Sequence, residues 1–150
     1  MKDRKGVKEK LISEMRDFFK QRALHYHIDI AFLYGSWARG YPRQNSDVDL
    51  ALLFSPEINS QDKIFFLISD ISYKLGEQLN KEVNIISISR DFQHPMLYYN
   101  AIILGIPLFV QDYDRFLSLK LEAIYQAEDF DLFGVHWQKE IAKRLIHSLK

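Results

Sequence analysis

The chain of 150 residues contains no cysteine, which excludes disulfides, thiolate nucleophiles and cysteine-based zinc sites and fits a reducing compartment. Any catalytic metal must therefore be held by oxygen or imidazole. Glycine and proline are scarce, at 6 and 4 residues, and no Pro/Gly/Ser-rich linker, internal repeat or low-complexity stretch divides the chain. Net charge is also missing: 20 basic and 20 acidic side chains balance, leaving no global attraction for a nucleic-acid backbone or an anionic membrane. The longest strongly apolar run, Ala101 to Val110, is broken by Gly105 and Pro107 and is too short to span a bilayer. Met1 to Lys10 alternates charges and does not read as a secretory leader. These absences lead us to expect a cytoplasmic protein with no membrane partner and no stable nucleic-acid binding.

What is present is enough for a genuine core, since 47% of residues are apolar and 14% aromatic. Val7, Leu11, Met15 and Phe18 recur at steps of three and four and predict an amphipathic helix from Val7 to Leu24. Ile28 to Tyr34 and Val48 to Phe54 read as buried strands. Asn59 or Ser60 caps a helix striped by Ile64, Ile68, Ile71, Leu75 and Leu79, with Asn80 as its stop. Glu82 to Ile88 reads as a third strand, and Pro95 opens a helix to Leu104 that Gly105 ends. Ile106 to Val110 is either a short strand or an extended segment. Asp112 begins a helix to about Glu128. After an acidic break at Glu128 to Asp131, a last helix carries Trp137, Ile141, Leu145 and Leu149 at four-residue steps. The expected fold class is α+β, a small mixed sheet flanked by helices.

The chemistry concentrates between the first two strands, where Gly35-Ser36 is followed, after ten intervening residues, by Asp47-Val48-Asp49. Gly35 lets the backbone approach a phosphate, Ser36 can donate its hydroxyl, and a short helix over Ser36 to Arg39 would aim free N–H groups at the same anion. On a strand, Asp47 and Asp49 share one face, with α-carbons roughly 7 Å apart, so both carboxylates can reach one or two hard divalent cations such as Mg²⁺ or Mn²⁺. A cation and triphosphate so held suit attack on the α-phosphorus with departure of pyrophosphate.

Gly-Ser, ten residues and Asp-x-Asp between two strands resembles the signature of the polymerase-beta-like nucleotidyltransferase superfamily. The run Gly35-Ser36-Trp37-Ala38-Arg39-Gly40 is similar to that of its minimal members, the MNT-type antitoxins of HEPN/MNT toxin–antitoxin modules. The resemblance runs loosely from the first helix to about Asp112. It implies a nucleotidyltransferase core over residues 1–112 and a helical C-terminal extension over 113–150. It further implies that Gly35 and Ser36 hold the triphosphate of ATP and that Asp47 and Asp49 bind Mg²⁺. A third family carboxylate, on the next core strand, falls here on Asn84. A neutral amide can ligate a cation but cannot act as general base, and Glu82, two residues earlier, is the nearest substitute in sequence.

The partner so implied is a HEPN-family ribonuclease toxin, neutralised by transfer of AMP to a hydroxyl, expected to be a tyrosine. The alternative is a catalytically impaired antitoxin of the same fold that acts by binding alone. An antibiotic-modifying enzyme would need a larger C-terminal domain. Blander readings stand beside these. Arg39 and Arg43 contact phosphate or are merely solvated, Ser46 orients Asp47 or ends the loop, and Trp37 and Tyr41 stack on a base or pack the short helix. His25, His27, His94, His136 and His147 are too scattered for a metal site. The terminal stripe at Trp137 fits core packing better than an interface, and the acidic patch at Glu128 fits a solvated loop.

Overall fold

A computed structural model describes residues 4–40 and 46–148, with the side chains of 130–141 and those at either end left aside. Helix α1 (Arg4–Arg22) leads into β1 (Ile28–Tyr34), the single turn α2 (Ser36–Arg39) and β2 (Val48–Phe54). Helix α3 (Gln61–Leu79), β3 (Val83–Ser87), α4 (Pro95–Ile102), β4 (Ile106–Val110) and α5 (Tyr113–Ser148) follow.

The four strands form one sheet in the order β3-β2-β1-β4. β1 is antiparallel to both neighbours, while β2 and β3 run parallel because α3 returns the chain between them, as a parallel pair requires. Alternate side chains of β1 and β2 feed two cores on opposite faces. Ala31, Leu33, Val48, Leu50 and Leu52 pack with Leu11, Met15 and Phe18 of α1 and Ile71 and Leu75 of α3. Ile30, Phe32, Ala51 and Leu53 pack with Tyr98, Ala101 and Ile102 of α4 and Phe116, Leu119 and Ala123 of α5. The mixed sheet between helical layers is the α+β arrangement expected.

Local signals act where the sequence places them. Ser60 caps α3 by accepting from the Lys63 amide, and Asn80 closes it in the left-handed conformation, its N–H donating to Gly76 O. Ile106–Val110 pairs with β1 and is therefore a strand. Gly105 is required by packing: a Cβ there would lie 2.1 Å from Ala101 O and 2.7 Å from Leu33 O.

Two expectations are corrected. The acidic run Glu128 to Asp131 does not break the chain, and α5 continues through it to Ser148; exposed acids on a solvated turn cost a helix little, and neither Gly nor Pro interrupts at those positions. Leu145, expected in the core, is 61% exposed, because α5 outruns the sheet it packs on. Trp137, Ile141 and Leu149 lie outside the described side chains, as do Tyr41 and Arg43.

Gly105→Ala should destabilise the fold by about 1–3 kcal/mol through overpacking. Gly40→Ala, where an added Cβ meets nothing within 4 Å, should change stability by less than about 0.5 kcal/mol. Urea unfolding of the two variants checks the contrast.

Candidate active site

The site forms at the end of the sheet where β1 finishes and β2 and β3 begin. Register sets it: Tyr34 pairs with Asp49 across the antiparallel ladder, and Asp49 pairs with Asn84 across the parallel one. Pairing partners share a face, so Tyr34, Asp49 and Asn84 stand in a row, and Asp47 joins them one pleat away. The Asn84 amide nitrogen lies 3.5 Å from Asp47 Oδ2 and 3.4 Å from Asp49 Oδ1. One point is thus within reach of both carboxylates, the place a hard cation would occupy. Rotating the amide would present its oxygen there instead, adding a neutral ligand.

Gly35 adopts φ +76, and a Cβ on it would lie 2.4 Å from Asp49 Oδ2. The glycine is needed twice, for its left-handed backbone and for the space that the carboxylate fills. Its carbonyl accepts from the Ala38 and Arg39 amides, winding α2 at the head of the site. The first-turn amides of Ser36 and Trp37 are those such a helix cannot use internally. Ser36 and Arg39 are both exposed, Ser36 next to Gly35 and Arg39 at the far end of the turn.

Burial raises the Asp49 pKa above the usual aspartate value; the Asn84 hydrogen bond partly offsets this and the Asp47 charge adds to it. Tyr34 is raised by burial and then by the Asp49 charge, so its phenol stays protonated at neutral pH. Both shifts describe a half-buried, anionic corner. Among the described residues no cluster of three or more His, Cys, Asp or Glu gathers anywhere, and here the third position is the amide. The two converging carboxylates and a rotatable amide nevertheless fit one divalent cation.

Several side chains take other places. Trp37 is 2% exposed, in the core that the sheet shares with α1 and α3, its indole N–H donating to Ser46 O at 3.1 Å. It cannot stack on a base; it ties the two ends of the 35–46 loop together, and Ser46 serves through its backbone. Glu82 is exposed and lines a shallow hollow with Gly76, Glu77 and Asn80 beside α3, and its charge is not among the influences on Asp49. It does not replace the carboxylate missing at 84. Sequence reasoning missed Tyr34; its signal was its place one residue before Gly35 at the end of an apolar strand.

This fold and site define a class. The polymerase beta nucleotidyltransferase family model matches residues 14–114, two-thirds of the chain, and the protein belongs to that family. No curated protein matches the sequence. Solved structures agree on the fold. A chain of a toxin–antitoxin complex with AMP-PNP superposes with a TM-score of 0.65 at 15% identity, covering 84% of this chain and 97% of that one. A chain from the complex of tri-AMPylated Shewanella oneidensis HEPN toxin with MNT antitoxin gives a TM-score of 0.60 at 13% identity, covering 87% and 98%. A MntA–HepT toxin–antitoxin chain gives 0.62 at 12%, covering 86% and 97%.

Asp49 has a folded pKa above its unfolded one, so its contribution to stability is present below the unfolded value and is lost as pH rises through the folded value. At neutral pH the metal-free fold therefore carries a penalty that Asp49→Asn removes, and this variant should melt higher than the native chain by thermal denaturation. The difference should vanish below about pH 4. Gly35→Ala should lower the melting temperature, since it both strains the backbone and displaces that carboxylate.

Proposed function

We propose that this protein is a nucleotidyltransferase antitoxin of the minimal type, which transfers AMP from ATP to a hydroxyl, a tyrosine, of a HEPN-family ribonuclease toxin and so neutralises it. The observation that carries the reading is the convergence of Asp47 and Asp49 beside a glycine that must be glycine. Family membership supports nucleotidyl transfer, and structural likeness to toxin–antitoxin chains, one crystallised with AMP-PNP and one with a tri-AMPylated HEPN toxin, supports the nucleotide and the partner. The absence of a helix long and apolar enough to cross a membrane among the described residues is compatible with work in the cytoplasm, where ATP and such a toxin would meet.

In this reading Gly35, Ser36 and the opening amides of α2 cradle the triphosphate, and Arg39 reaches its outer oxygens. Asp47 and Asp49 would hold Mg²⁺, with Asn84 as a third, neutral ligand. The bound cation would neutralise charge on the triphosphate. The acceptor oxygen forms a bond to the α-phosphorus, the bond from that phosphorus to the bridging oxygen of pyrophosphate breaks, and the hydroxyl proton passes to water. Asn84 cannot take it, because a neutral amide is no general base.

Intact-mass spectrometry of a HEPN toxin incubated with this protein, ATP and Mg²⁺ tests the proposal. The toxin should gain whole AMP units, and the gain should disappear without Mg²⁺ and with Asp47→Ala/Asp49→Ala. Asn84→Asp should restore a base and accelerate transfer about ten-fold or more. A toxin that is neutralised without any gain in mass would replace transfer by binding alone.

A further inference from the structure

Tyr34 shares the site's face of the sheet with Asp47, Asp49 and Asn84, yet it is neither a cation ligand nor a base. Pairing sets the row Asn84, Asp49, Tyr34 across β3, β2 and β1, with neighbouring strands about 4.8 Å apart. The two ends of this row differ in what lies beyond them. Gly35 and Ser36 continue the chain directly from Tyr34, so the β1 end is the side on which a triphosphate would lie. Asn84 closes the other end on the edge strand β3, the side left for an acceptor.

The Tyr34 ring packs on the core completed by α4 and α5, which holds the side chain by its apolar part. Its hydroxyl is not held in the same way. Burial and the Asp49 charge act on the phenol, and no hydrogen bond does; among the described residues the hydroxyl donates to no group and accepts from none. It is not a buried orphan either, so solvent reaches it. A phenol ordinarily keeps its proton up to about pH 10, and Tyr34 therefore presents a neutral, unused donor near an acid whose charge it feels. Gly35 brings the backbone into the same corner, since a Cβ there would lie 2.4 Å from Asp49 Oδ2. The phenol, the Gly35 backbone and the Asp49 carboxylate border one small space at the head of α2.

We propose that the Tyr34 hydroxyl is a nucleotide-binding group, donating a hydrogen bond to a phosphate oxygen of the triphosphate between the Gly35-Ser36 cradle and Asp49. This assignment rests on the nucleotidyl-transfer reading and adds a residue to it. Phosphate oxygens carry charge and only accept, so the bond is of the strong, charge-assisted kind. An anion brought next to Asp47 and Asp49 needs donors to offset their repulsion, whereas a sugar hydroxyl would be served as well by water. The opening amides of α2 and the Tyr34 hydroxyl then hold the triphosphate from two sides. Such a contact is blind to base and sugar: it tightens any nucleoside triphosphate and selects none.

Isothermal titration calorimetry of the full chain with Mg²⁺ and α,β-methylene-ATP, which cannot undergo the transfer, reads binding apart from catalysis. Tyr34→Phe keeps the ring and removes the oxygen. It should weaken binding about ten-fold, by the same factor for the 2′-deoxy form of the analogue, while the melting temperature of the nucleotide-free protein stays unchanged. A Tyr34→Phe chain that binds as tightly as the native one overturns the proposal and leaves the transfer reading standing. So does a loss confined to the ribose form, which would assign the hydroxyl to the sugar. A fall in the nucleotide-free melting temperature alongside weaker binding would make the hydroxyl structural and overturn it as well. A native chain that binds neither analogue overturns both this assignment and the transfer reading beneath it.

Discussion

Everything at the site depends on the antiparallel register of β1 with β2. Sliding that ladder by one residue would turn Asp49 into the face covered by α1 and α3 and bring an apolar side chain to the site. The register is fixed because both faces of both strands are buried, so each slip exchanges two complete sets of packed side chains. It places Gly35 where the strand ends, directly against the Asp49 carboxylate, and the closeness of that contact leaves no side chain but hydrogen there. The parallel pairing with β3 then sets Asn84 opposite Asp49 through an independent constraint, the crossover by α3.

The corner so built is costly to the folded protein. Burial, and then the neighbouring Asp47 charge, raise the proton affinity of Asp49, and no lysine or arginine of the described residues appears among the influences on it. Other acids in this molecule are treated differently. Asp70 is held below the ordinary value by the Tyr26 hydroxyl and by Lys74, and Asp29 is met by Arg115 where α5 leaves the sheet. Asp49, by contrast, is raised chiefly by burial and further by the Asp47 charge, the kind of perturbation that functional sites commonly show. Asn84 softens the arrangement by donating to both, which relieves their repulsion while surrendering a base.

Helix α5 is held at its beginning. Its first turns complete the second core through Phe116, Leu119 and Ala123, and the ion pair of Arg115 with Asp29 anchors its start. Farther on, Leu145 and Ile146 are exposed, at 61% and 57%. A helix of this length is not sustained by propensity alone, and its opening turns draw on the packing of that core.

The order of elements, the caps at Ser60 and Asn80, the core stripe of α3 and the Gly-Ser and Asp-x-Asp set were legible in the chain, because each rests on local spacing or on the chemistry of one residue. Their convergence was not, since it needs a pairing register and a crossover that no local pattern records. Trp37 read equally well as a stacking platform or a core residue, and only the layer of α1 and α3 decided it. Glu82 looked adjacent to the site by sequence count, yet it sits beside α3 before the strand begins. The acidic run in α5 imitated a loop, because solvated charge occurs as readily on an exposed helix. The sequence by itself determined which groups could do chemistry and how the elements alternate, through periodicity and capping. Tertiary structure alone decided which of those groups meet, because strand register and layer packing are set by contacts between residues far apart in the chain.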